Sequence, residues 1–131
     1  MIVVDASALV AIGDNEPEAL DFLRIVRGSP TILGGINYVE VGLILIGRRR
    51  LATQADLNEW LGFLDVTVHP SGDLGPAALT AYLRYGRGYH RAALNLADCF
   101  AYALAKTLDA PLLYKGNDFA RTDIVSALQP T

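Results

Sequence analysis

Cysteine, histidine and positive charge are all scarce in this 131-residue chain, and each shortage removes a class of function. A single cysteine, Cys99, forbids an internal disulfide, and with only His69 and His90 beside it a zinc site has too few partners. Cys99 is therefore expected to be a small buried apolar residue. No stretch reaches the roughly 18 consecutive apolar residues of a membrane span. Asp5 also interrupts the apolar run that a signal peptide would need, so a soluble cytoplasmic protein without membrane contact is expected. Eleven basic residues against fourteen acids leave a net charge of −3, which argues against binding nucleic acid through bulk charge.

What remains is rich in apolar groups: 52% hydrophobic and 19% charged, more apolar and less charged than an average soluble domain. A chain of this length is expected to form one domain, residues 1–131, with apolar surface to spare for a partner. The basic residues are unevenly spread. Arg48, Arg49 and Arg50 form a run that reads as the solvated end of a helix. Arg84, Arg87 and Arg91 are interleaved with Tyr82, Tyr85, Tyr89, His90, Gly86 and Gly88. That mixture suits a flexible loop that meets phosphates and stacks on bases, and a solvated face accounts for it equally well.

Periodicity predicts strands at residues 2–4, 31–33, 66–68, 112–114 and 124–128. Helices are predicted at 6–13, 18–27, 36–50, 53–64, 71–85 and 96–108, with Thr53 as a cap, Pro17 and Pro76 near helix starts, and Asn37 or the glycines before it opening the third. Strands that alternate with helices imply an α/β three-layer sandwich, a mostly parallel central sheet of four to five strands flanked by helices.

Four acids stand out against this pattern. Asp5 and Asp118 follow the first and fourth strands, at the sheet edge where open parallel sheets place their ligands. Glu40 interrupts an apolar helix, where an unpaired charge would cost several kcal/mol. Asp98 lies in the first turn of the helix at 96–108, where the dipole favours an acid. Each has a structural explanation when taken singly: Asp5, Asp98 and Asp118 as helix-start residues, Glu40 as one half of an ion pair. Taken together, Asp5, Glu40 and Asp98 sit among apolar neighbours with no cation nearby in sequence, which points to a bound divalent metal. Hard oxygen ligands select magnesium, or manganese in its place, and such ions support phosphodiester hydrolysis.

The start Val4-Asp5-Ala6-Ser7-Ala8, Glu40 in the third helix, and the stretch LNLADCFAYALAKTLDAPLLYKGNDFARTDI from Leu94 to Ile124 resemble the VapC branch of the PIN-domain family over essentially the whole chain. The resemblance implies a PIN-like sandwich and a Mg2+-dependent endoribonuclease, the toxin of a VapBC toxin–antitoxin pair. It implies Asp5, Glu40, Asp98 and Asp118 as the metal-holding and catalytic acids, with Ser7 and Asn117 in support and Asp123 as another candidate for the fourth position. Asp5 and Asp98 would ligate the metal, and Glu40 would ligate it or orient the attacking water. Arg84, Arg87, Arg91 and Lys115 are the expected RNA contacts. Expected partners are a VapB-type antitoxin, a second copy of the chain, and an RNA, transfer RNA being one candidate.

Two other readings use the same residues. A phospho-acceptor receiver domain would share strand-end acids and a lysine such as Lys115, but needs an aspartate on the strand at 66–68, which has none. A catalytically inactive PIN-like module that only binds RNA or protein would lose the acids that this chain retains.

Overall fold

A computed structural model describes residues 1–128, so the last three residues of the expected domain at 1–131 lie outside the described ones. Four parallel strands, β1 (Ile2–Val4), β2 (Thr31–Gly34), β3 (Val66–His69) and β4 (Leu112–Leu113), lie in the order β3-β2-β1-β4. Val3 pairs with Ile32 on one side and Leu112 on the other, so the N-terminal strand is interior to the sheet. Its three residues are all apolar and buried, as a strand covered on both faces requires.

Alternation along β1 divides the core. Ile2 and Val4 pack with Leu9, Phe22, Val41, Leu45 and Leu57, under helices α1 (Ala6–Gly13), α2 (Ala19–Gly28), α3 (Gly35–Gly47) and α4 (Gln54–Phe63). Val3 and Leu112 pack on the opposite face with Ala78, Tyr85, Leu94, Cys99 and Leu104, under α5 (Gly75–Tyr85) and α6 (Leu96–Thr107). This is the three-layer α/β sandwich with a parallel sheet that the periodicity implies.

Three boundaries differ from the sequence expectation by more than one residue, each for a local reason. α3 stops at Gly47 rather than residue 50, because Arg49 takes a left-handed conformation (φ 59°) and the chain turns back. Arg48 and Arg50 then reach Asp14 at the end of α1, so this run ties two helix ends together and is not a free basic face. α5 starts at Gly75 rather than residue 71, since the Ser71 hydroxyl accepts the Gly35 N–H at 2.9 Å and helps open α3 instead. The strand expected at 124–128 shrinks to one bridge, Leu112 to Ser126. There the Ser126 hydroxyl accepts the Leu128 N–H at 3.1 Å, a local turn that competes with pairing.

Candidate active site

A helix that returns a parallel strand crossover runs antiparallel to the strands, so its N-terminus lies at their carboxyl edge. Asp5 follows β1 and caps α1, Glu40 is in the second turn of α3, Asp98 is in the first turn of α6, and Asp118 follows β4 before a 3₁₀ turn at Phe119–Arg121. The topology thus brings acids from four distant segments to one edge.

Asp5 divides its two oxygens between two tasks. Oδ2 accepts the Ser7 N–H at 3.0 Å and caps α1, while Oδ1 is buried with no hydrogen-bond partner. The residue is only 4% exposed. Burial pushes its carboxyl up to about 6; bonds from Ser7 pull it down, and the charge of Glu40 raises it further. Asp98 is also pushed to about 6, by burial first, against the hydrogen bond from Asn95; Asp5 and Asp118 raise it and Arg87 lowers it. Glu40 is raised by burial and by Asp98, and lowered by a bond from Asn37. The four carboxylates therefore sense one another in a chain of mutual repulsion.

None of these four has an ion pair among the described residues. No three acid, histidine or cysteine side chains among the described residues close into a ready-made metal cluster. Two carboxylates have an oxygen committed elsewhere. Asp98 Oδ2 accepts the Asn95 N–H at 3.0 Å in a capping box, and Glu40 Oε1 accepts from Asn37 Nδ2 at 3.0 Å. The unpartnered Asp5 oxygen, within electrostatic reach of Glu40 and Asp98, is a hard donor of the kind divalent ions prefer. Burial, with the Asp98 charge second, pushes the neighbouring Cys99 thiol to about 11, so it packs as a protonated small residue.

The remaining expected residues divide. Ser7 is at the site: besides capping from its N–H, its hydroxyl accepts the Lys115 N–H at 3.0 Å and joins the segment after β4 to α1. Asn117 is exposed next to Asp118. Arg87 is within electrostatic reach of Asp98, and Arg91 is exposed with no ion pair among the described residues. Three residues are drawn elsewhere. Asp123 accepts from the Tyr102 hydroxyl and pairs with Lys106 at 3.1 Å and Arg84 at 3.7 Å, so its charge is neutralised away from the acid group. Arg84 also lies over the Tyr85 ring. The Lys115 ammonium bonds Glu16 and Glu18, which leaves little of its charge for a phosphate.

The segment 82–91 is more ordered than a loose loop. Arg87 N–H donates to the Leu94 carbonyl at 3.0 Å, Leu94 N–H to Tyr85, and both Tyr89 and His90 N–H to Gly86. Gly86 is required there, because a Cβ would sit 2.4 Å from the Tyr82 carbonyl oxygen. Sequence reasoning missed Asn37 as a site residue. Gly34 caps α3, and the Asn37 side chain points to Glu40 and to the Ala97 carbonyl.

The family model described as the PIN domain matches residues 2–125. The chain therefore belongs to the PIN-domain family, in its VapC branch. It is 41% identical to Ribonuclease VapC30 of Mycobacterium tuberculosis, covering 98% of this chain and 100% of the relative. It is 40% identical to Ribonuclease VapC of Mycolicibacterium smegmatis, over 95% and 98% of the two chains. The crystal structure of Mycobacterium tuberculosis VapC20, described as a Sarcin-Ricin loop cleaving toxin, matches with a TM-score of 0.74 at 19% identity over 99% of this chain and 100% of that one. That likeness concerns the fold.

Proposed function

We propose that this chain is a magnesium-dependent endoribonuclease, the toxin of a VapBC-type toxin–antitoxin pair, with Asp5, Glu40, Asp98 and Asp118 holding the ion and manganese able to replace it. The observation that carries the proposal is the buried, unpartnered Asp5 Oδ1 at the strand edge, facing the charges of Glu40 and Asp98 with no cation to offset it. The names of the relatives support ribonuclease activity and the toxin role.

A divalent ion held by Asp5, Glu40, Asp98 and Asp118 would supply Lewis-acid charge for phosphodiester hydrolysis near neutral pH. The chain's own residues prepare the place. The Ser7 N–H fixes the orientation of Asp5, Asn95 holds Asp98, and Asn37 holds Glu40. Arg87, whose charge lowers Asp98, is the residue we assign to an RNA phosphate, with the exposed Arg91 as a second contact. The proposed site needs no covalent nucleophile.

Partners follow from the surface. Val39 and Leu43 on α3, and Leu79 and Leu83 on α5, are more than half exposed at i, i+4 spacing. These two apolar stripes support contacts with an antitoxin and with a second copy of the chain. Among the described residues no helix is long and apolar enough to cross a membrane, consistent with action on cytoplasmic RNA, transfer RNA among the candidates.

The test is cleavage of end-labelled total RNA by purified protein in magnesium, in EDTA, and by folded Asp5→Asn and Asp98→Asn variants. Cutting is expected only from the wild-type chain with the metal. Equal cutting by both variants, or by wild type in EDTA, would refute the assignment.

A further inference from the structure

Asn37 is 1% exposed, one of three polar or charged residues buried among the described residues. Its Nδ2 donates to Glu40 Oε1 at 3.0 Å and to the Ala97 carbonyl at 3.2 Å. Both partners face it as acceptors, so the group between them is the amide nitrogen. The other end of the same amide, Oδ1, is buried without a donor. A side chain selected for stability alone would not leave that oxygen unmatched, since an apolar residue of the same shape would fill the space without the penalty. What Asn37 supplies, and leucine would not, is the two-way N–H contact.

The geometry of that contact is specific. Asn37 and Glu40 are three residues apart on α3 and so share a face. Ala97 immediately precedes Asp98 on α6. A single NH2 group therefore touches the Glu40 carboxylate and the backbone that carries Asp98. Glu40 has no other side-chain partner among the described residues. We propose that Asn37 is a positioning residue for the metal site: it orients the Glu40 carboxylate and sets the register of α3 against the first turn of α6, so that Glu40 and Asp98 face one ion. This inference rests on the metal-site reading above and assigns to Asn37 a role that acts through Glu40.

The experiment is calorimetric titration of the purified full chain with Mn2+, in wild type, Asp5→Asn, Asn37→Leu, Glu40→Gln and the Asn37→Leu/Glu40→Gln double variant, each checked for folding by circular dichroism. Leucine keeps the branching and size of asparagine and removes both donors. The expected result is a Kd weakened about tenfold in Asn37→Leu, the scale typical for loss of a group that orients a ligand. In the Glu40→Gln background the same change should cost clearly less, what remains being the share carried by the Ala97 contact. Should Asn37→Leu not fold, Asn37→Ala takes its place in the cycle with the same expectation. A wild-type Kd in the folded variant overturns the inference, as does an undiminished tenfold loss when Glu40 is already glutamine. Failure of the wild-type chain to bind Mn2+, with Asp5→Asn indistinguishable from it, would instead overturn the metal-site reading itself.

Discussion

The buried Asp5 carboxyl should make the protein less stable as the pH rises through the weakly acidic range, the reverse of an ordinary salt-bridged aspartate. Its folded-state value of about 6 stands against an ordinary 3.8, a difference of about 2.2 (6 − 3.8) and so about 3 kcal/mol. Because the folded value is the higher one, the fold prefers the protonated form. The stabilisation is fully present below about pH 3.8 and is gone above about pH 6. The linkage relation assigns about 1.4 kcal/mol of that loss to the interval from pH 5 to 7.5. Asp5→Asn has no carboxyl to ionise there, yet its amide oxygen still accepts the Ser7 N–H. Removing the charge also relieves Glu40 and Asp98, which adds in the same direction. Urea denaturation in EDTA at pH 5 and 7.5 reads the effect, with the wild type expected to lose at least about 1 kcal/mol more than the variant between the two conditions. Comparing pH dependences cancels any fixed cost of the amide itself. Profiles parallel to within about 0.3 kcal/mol, the usual error of such cycles, would refute the claim that this carboxyl is held neutral by burial.

Saturating magnesium should reverse that loss, adding about 2.7 kcal/mol at a hundredfold excess over Kd in wild type and nothing in Asp5→Asn, as followed by thermal melting. Arg87→Ala should lower the slope of log affinity for RNA against log salt by about 1, measured with Asp5→Asn protein to prevent cleavage. Arg84→Ala should lower that slope by less than Arg87→Ala does, because Asp123, which it shares with Lys106, offsets part of its charge. Asn95→Ala removes one half of the capping box on α6 and should cost about 1 kcal/mol in denaturant unfolding. Gly86→Ala drives a Cβ into the Tyr82 carbonyl and should cost about 1–3 kcal/mol, with weakened RNA binding as the turn carrying Arg87 shifts.

Local chemistry made most of the fold legible. Asp5 and Thr53 each stand where a short polar side chain opens a helix, and both accept the N–H that such a cap requires. β1 was readable from three apolar residues ending at an acid. The four acids could be placed at one edge because strand-following and helix-opening positions meet there in any parallel sheet. What sequence could not supply was partnership across distance. Lys115 is separated by about a hundred residues from Glu16 and Glu18, and Asp123 owes its removal from the acid group to Lys106, Arg84 and Tyr102. Asn37 near a helix start looks like a cap, and only the approach of α6 shows that its amide has other work. Ser71 likewise looks like the start of α5 and serves α3 instead.

The interior position of β1 sets a timetable for the molecule as it is made. Its neighbour Leu112 and the last of the four acids, Asp118, are synthesised more than a hundred residues after Asp5. At about 5–20 residues per second, roughly 6–23 s pass between the first carboxylate and the last. Until β4 is made the N-terminal strand has no partner on that side, and Asp98 and Asp118 join Asp5 only late in the interval. A nascent chain stalled or truncated before β4 therefore holds three of its four acids and an open sheet edge. An activity built on these residues would be confined to completed copies.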